Sequence, residues 1–157
     1  MSDVFNESIP LRMERIPSEL AALFLHGCHS LLHIQHRWEQ KRSLPVKDVG
    51  SVTLASSIGT VDGSTAFDGI CDLDFQGGDF ELFLDYALQA RRVVVLELQG
   101  SSRQWTPRSK SEELADRLVG AGFQVSFSTL TLNQIYVPGD VDSNDILSDK
   151  LMIAWRY

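Results

Sequence analysis

The sequence lacks any apolar run approaching the ~20 residues needed to cross a bilayer, so no membrane span or membrane partner is expected. Cysteine is scarce. Cys28 and Cys71 are the only two in 157 residues, too few for a disulfide scaffold. With no basic-then-apolar leader, the chain is expected in the cytoplasm with both thiols reduced. Internal repeats and low-complexity segments are missing as well, which excludes solenoid and fibrous architectures. Cationic charge is also limited: 14 Lys and Arg stand against 21 Asp and Glu, a net charge of −7. Such a chain is poorly suited to neutralising a phosphate backbone, and no nucleic-acid partner is expected. What is present, 43% apolar and 22% charged residues, fits one soluble domain over residues 1–157, with 1–15 as an N-terminal extension. At this length a chain buries roughly 70% of its unfolded surface and needs no disulfide or metal to stay folded.

Lys and Arg are wholly absent from residues 61–85, where Asp62, Asp68, Asp72, Asp74, Asp79, Glu81 and Asp85 lie. Acids and bases nearly cancel elsewhere, so this window accounts for the size of the net charge.

Pro17-Ser18-Glu19 opens a predicted helix filled by Leu20, Ala21, Leu23, Phe24 and Leu25, with Gly27 at its end. The next stretch, 28–41, reads in two ways. The spacing of Leu20, Phe24, Gly27, Leu31, Ile34 and Trp38 suits one unbroken helix; alternatively, Ser30 to Gln35 is a short buried strand after a turn at Gly27-Cys28. Ser51 to Ile58 and Phe67 to Phe75 read as strands. Asp79 is expected to cap a helix from Phe80 to Ala90. The apolar run Val93 to Leu96 predicts a strand over 92–98, buried on both faces and central. A helix over 109–120, a strand over 123–132 and a last strand over 150–157 complete the reading. The alternation implies an α/β three-layer sandwich with a mostly parallel, doubly wound sheet. The last two strands, joined without a helix, imply an antiparallel pair at its end.

Several segments carry a family resemblance. Asp62-Gly63-Ser64-Thr65-Ala66-Phe67-Asp68-Gly69-Ile70 resembles the entry to the fourth strand of the Rossmann-like S-adenosylmethionine-dependent methyltransferases. Phe80 to Leu98 is similar to the helix and fifth strand that follow there, and Gly120-Ala121-Gly122-Phe123-Gln124-Val125 to the approach to the sixth. Asp149 to Tyr157 corresponds to the antiparallel seventh. The resemblance implies that the seventh strand lies between the fifth and sixth, leaving 123–132 as an edge. The first half departs from the family. Leu31 to Gln35 runs into His36-Arg37-Trp38 with no glycine, where the family has a Gly-rich turn that lets the backbone approach the cofactor. About thirty residues then separate this strand from the fourth, so one strand and helix unit is shortened or lost.

The resemblance places His33, Gln35, Asp68 and Asp72 as candidate cofactor-binding residues. The departures imply a domain that has lost cofactor binding and acts as a protein-binding or assembly module. The alternative is an active S-adenosylmethionine-dependent methyltransferase on a small molecule, with an atypical cofactor loop. No catalytic residue is assigned. His26, His29, His33 and His36 fall within eleven residues. On a continuous helix an i,i+4 pair such as His29 and His33 can bind zinc, but no second set of ligands completes the site and no metal is expected. Asp72-Leu73-Asp74 is a D-x-D triplet, read here as solvated acids before a helix. Ser101-Ser102, after a central strand, reads as a plain loop, and Trp38, Trp105 and Trp155 as core or interface anchors. The 123–132 strand has no charge and no proline but carries Val125, Phe127 and Leu130. Natural edges are usually blunted, so a homodimer or a protein partner is expected there.

Overall fold

The structure, a computed structural model, describes residues 18–36, 44–97, 109–131 and 148–157, with the backbone alone at 129–131 and at 148 and 149. A helix over 18–24 (α1) is followed by strands β1 (Ser30–Ile34) and β2 (Ser51–Ala55), then β3 (Gly69–Asp72), helix α2 (Phe80–Gln89) and β4 (Arg92–Glu97). Helix α3 (Lys110–Gly120) and strands β5 (Gln124–Thr131) and β6 (Ser148–Trp155) complete the order.

The six strands form one sheet in the order β2-β1-β3-β4-β6-β5. β2, β1, β3 and β4 are parallel, whereas β6 runs antiparallel to both β4 and β5. The fold is thus α/β with a mostly parallel sheet finishing in an antiparallel pair, and the last strand sits between β4 and β5 as the sequence reading implied. Among the described residues one strand, β2, lies beyond β1.

Alternation along the strands divides the apolar side chains between two faces. Leu32, Ile34, Ile70, Val93, Val95, Met152 and Ala154 pack under α2 and α3 through Phe83, Leu84, Ala87, Leu114 and Leu118. Leu31, Cys71, Val94, Leu96 and Leu151 form the other core with Ala21 of α1, with Leu25 just past it and with Leu44. Three layers result. β4 is buried on both faces, with Val93 to Leu96 fully inaccessible, as its unbroken apolar run required.

Of the two readings of 28–41, the strand is the one observed. Gly27 adopts φ 81° and stops α1, because the left-handed conformation cannot continue a right-handed helix. Ser30 to Ile34 then pairs with strands on both sides; residues 37–43, including Trp38, lie outside the described residues. Two predicted strands are longer than the observed ones. The 51–58 strand ends at Ala55, and Ile58 instead anchors a 3-10 turn through Thr60. The 67–75 strand is trimmed to Gly69–Asp72 because Asp72 draws the Asp74 N–H onto its side chain at 3.0 Å, turning the chain. The expected cap at Asp79 is corrected too. Asp79 precedes α2 with φ 53°, and its side chain makes no capping bond. Ser109 does cap α3, its hydroxyl accepting from the Glu112 N–H at 3.1 Å.

Arginines close helix ends at the amino edge of the sheet. Arg92 donates to the carbonyls of Phe24, the last residue of α1, and of His26 just past it, and Arg156 to those of Leu88 and Ala90 at the end of α2. These are carbonyls the helices leave unbonded. Arg156 also lies over the Phe123 ring, 4.8 Å from its centroid. Trp155 meets Phe24 edge-on at 5.9 Å, so it acts as a packing anchor; Trp105 and the Ser101-Ser102 loop lie outside the described residues.

Both described cysteines are buried thiols. A Cβ on Gly69 would come within 2.7 Å of Cys28 Sγ, so glycine is what lets the Cys28 turn lie against β3. Burial, reinforced by the nearby Asp68 carboxylate, raises the Cys28 pKa against the opposing pull of Arg92 and Arg91. Neither Cys28 nor Cys71 is expected to react with iodoacetamide at pH 8 until denaturant is added. Rapid labelling of either in the native protein, read by mass spectrometry, would contradict this packing.

Candidate functional site

In an open α/β sheet the ligand crevice lies outside the carboxyl ends of the strands where the strand order reverses. Here that point is between β1 and β3, since β1 has β2 on one side and β3 on the other. Ile34 and Asp72 end the two strands side by side. Past Ile34, the Gln35 N–H bonds to Ala55 O at 2.7 Å, which holds this turn against β2.

His36 then reaches across the switch point, with Nε2 2.6 Å from Asp72 Oδ1. The same oxygen accepts the Asp74 N–H. Asp72 is buried, so the reading of the D-x-D triplet as solvated acids is corrected for its first member. Burial of a carboxylate is tolerated because donors surround it. Next along the sheet, Glu97 ends β4 and accepts from the N–H groups of Lys110 and Ser111 and, at 2.6 Å, from the Ser111 hydroxyl. It therefore anchors the amino end of α3, where anionic charge is favoured. Both carboxylates at this end of the sheet already accept bonds from the protein.

Of the four residues predicted to contact a cofactor, only Gln35 and Asp72 come to the same end of the sheet. His33 lies within β1 and is buried, while Gln35 and Asp72 are at the carboxyl end. Asp68 sits at the opposite, amino end. Its carboxylate accepts from His29 N and Ser30 N, both at 2.8 Å, and faces Arg91 at 3.7 Å. Its carbonyl accepts the N–H groups of Arg91 and Arg92. Asp68 thus ties the start of β1 to the start of β4. Burial pushes its pKa up, but the two backbone N–H bonds and Arg91 outweigh this and hold it below the ordinary carboxylate value.

The histidines likewise separate. His26 faces Asp48 at 3.3 Å and His29 precedes β1, both at the amino end, while His36 is at the other end. The helical spacing that would set His29 beside His33 for a metal is absent because the segment is a strand. Among the described residues no group of three or more His, Cys, Asp or Glu is placed to hold a metal ion, and no helix is long and apolar enough to cross a membrane. Of the predicted docking residues on β5, Val125 is half-buried against the α3 side of the core. Phe127 is 41% exposed, and the Leu130 backbone is set opposite Asp149.

His36 and Glu97 were not among the predicted site residues. The signal for His36 was its place two residues beyond the strand, on the same side of the break as Gln35. Glu97 was signalled by being the first acid after the apolar run Val93 to Leu96, in the stretch that leads to the serine-capped helix.

No family model and no curated protein matches the chain. Solved structures do show likeness in backbone. Precorrin-6y C5,15-methyltransferase from Geobacter metallireducens is 11% identical, with a TM-score of 0.48 over 96% of this chain and 86% of that one. The N-methyltransferase NodS from Bradyrhizobium japonicum is 9% identical, with a TM-score of 0.46 over 97% of each chain. The N-terminal domain of EvdMO1, with S-adenosylhomocysteine bound, is 10% identical at 0.48 over 91% of this chain and 82% of that one. The fold assignment rests on strand order and direction rather than on these likenesses.

Proposed function

We propose that the chain is a methyltransferase-like domain that has given up S-adenosylmethionine binding and works as a protein-binding or assembly module, docking through the β5 edge. The observation that carries this reading is the His36–Asp72 bond across the β1–β3 switch point. A nucleoside ligand in such a crevice needs a backbone turn that allows close approach, and an acceptor for its hydroxyls. This chain offers the His36 side chain where a glycine turn would lie, and an Asp72 oxygen already bonded to His36 and the Asp74 N–H. Glu97 is likewise held by α3. A ligand must break these bonds before it can replace them, and each exposed partner then loses an acceptor. The residues present do not fit the cofactor.

Calorimetry with S-adenosylmethionine and with S-adenosylhomocysteine is expected to show no binding tighter than about millimolar, equivalent to roughly −4 kcal/mol. Micromolar binding of either would sink the reading. It would favour an active methyltransferase on a small molecule instead, and the same pair supports that second reading, because a carboxylate that orients an imidazole is the arrangement of a general base. In that case His36→Ala should abolish turnover while the circular dichroism spectrum stays that of the folded protein.

A further inference from the structure

The outer side of β5 can be read from the backbone bonds of its neighbours. Arg156 donates its N–H to Arg91 O, so the backbone groups of Arg156, and by alternation those of Ala154, Met152 and Lys150, point toward β4. The intervening residues Trp155, Ile153, Leu151 and Asp149 therefore point theirs toward β5, opposite Gln124, Ser126, Ser128 and Leu130. Those of Val125, Phe127, Thr129 and Thr131 face outward in one row. Among the described residues, no strand lies beyond β5.

The surroundings of this row favour a copy of itself. Residues 124–131 carry no charge and no proline, so pairing β5 with its own copy brings no like charges together in a chain whose net charge of −7 opposes most other self-contacts. Its apolar side is flanked by α3. Arg117 on that helix pairs with Glu81 of α2 at 3.1 Å, which fixes the side of α3 facing α2. At 100° per residue, Val119 lies on the far side, toward β5, and is 55% exposed. Glu112 shares that side, and its charge is matched by Lys150 Nζ at 2.6 Å. Val119 and Phe127 thus border a strand that carries neither charge nor proline. The other edge strand, β2, spans only five residues, Ser51–Ala55, and leaves fewer groups to pair.

We propose that two copies of this chain join β5 to β5 in antiparallel fashion about a two-fold axis at Ser128, making one continuous sheet. This rests on the reading of the chain as an assembly module and names the partner at that edge. The axis at Ser128 sets Phe127 opposite Thr129 and Val125 opposite Thr131, each pair occurring twice. All four outward residues then find partners, as an isologous contact requires. Ser128 meets its own copy as a pair without hydrogen bonds, where Cα atoms are about 4.5 Å apart, within the range a disulfide can bridge.

The full chain carrying Ser128→Cys tests this, since Cys28 and Cys71 are buried. Under mild oxidation it is expected to give a disulfide-linked dimer on a non-reducing gel. Ser126→Cys, exposed on the same strand but offset from its copy by four residues in this register, is expected to give little. Wild type should sediment as a dimer, with Phe127→Lys weakening association at least about tenfold while leaving the circular dichroism spectrum unchanged. A wild type that stays monomeric at millimolar concentration, or a dimer that crosslinks through Ser126→Cys instead of Ser128→Cys, overturns the proposal. Hydrogen exchange then separates the two ideas in a monomer. Free exchange at Val125, Phe127, Thr129 and Thr131 rejects the self-pairing alone and leaves the edge open to another protein. Strong protection there means the chain covers its own edge, and docking through β5 fails altogether.

Discussion

Val94→Asp is expected to leave no cooperative thermal transition and a spectrum of unfolded chain at 25 °C. Val94 is fully inaccessible in β4 and belongs to the core between the sheet and α1. Its neighbours there, Leu31, Cys71, Leu96 and Leu151, offer no charged partner. A carboxylate at that place either ionises without a partner or takes up a proton, and the cost is several kcal/mol. Domains of this size have a total stability of only about 5–15 kcal/mol. Leu82→Asp makes the comparison, because Leu82 is exposed near the start of α2, where added negative charge is tolerated. Its melting temperature should move by no more than the equivalent of about 0.5 kcal/mol. A Val94→Asp protein that melts with the wild type would mean that β4 is not the centre of the sheet.

The second large effect is expected at the amino edge. Asp68→Ala removes the acceptor for the N–H groups of His29 and Ser30 and the partner of Arg91. Ser30 begins β1, so its N–H has limited recourse to water. A buried donor left without an acceptor costs about 1–3 kcal/mol, and the expected loss for Asp68→Ala is about 2–3 kcal/mol in chemical denaturation. Asp68→Asn keeps one acceptor oxygen and should lose about half as much. The pH dependence has a fixed sign. Because the folded-state pKa of Asp68 is lowered, its contribution is fully present above the unfolded carboxylate value of about 3.9. It is lost as pH falls through the lower folded value. The stability gap between wild type and Asp68→Asn should therefore be constant from pH 7 to about pH 5 and close below about pH 4. A gap that persists unchanged in acid would show that the carboxylate's charge contributes nothing to this junction.

The sheet was legible in the sequence because its strongest segments carry one signal each. Val93 to Leu96 are apolar without interruption, and only a strand buried on both faces suits them. The helix over 110–120 had a serine cap, early acids and regularly spaced leucines, all consistent with one conformation. The antiparallel finish followed from two strands without an intervening helix. Segment 28–41 was ambiguous because the same residues satisfy a helical period and a short apolar strand. What decides between them is the pairing of Ser30 to Ile34 with β2 and β3, tertiary contacts that no local pattern records. The site was less legible. Asp68 and Asp72 are four residues apart in sequence, yet β3 carries them to opposite ends of the sheet, so one serves the amino edge and the other the switch point. His36 was visible as one of four histidines and by its place two residues beyond β1. Its pairing with Asp72 spans 36 residues and depends on β1 and β3 being neighbours.

The place of β6 has a consequence for how the chain is made. A strand that ends at Trp155 lies inside the sheet, between β4 and β5. Until residues 148–155 are available, β4 lacks its β6 partner, and β5 lacks the one strand it pairs with among the described residues. The observed sheet cannot be completed before then, because β6 joins β4 to β5. Without β6, the four parallel strands would end with Val93 to Leu96 at their rim, a surface prone to joining other strands. Formation of the β5–β6 hairpin and its insertion beside β4 is the step that seals this rim. It also brings Arg156 to the end of α2, so closing the sheet and locking that helix are one event.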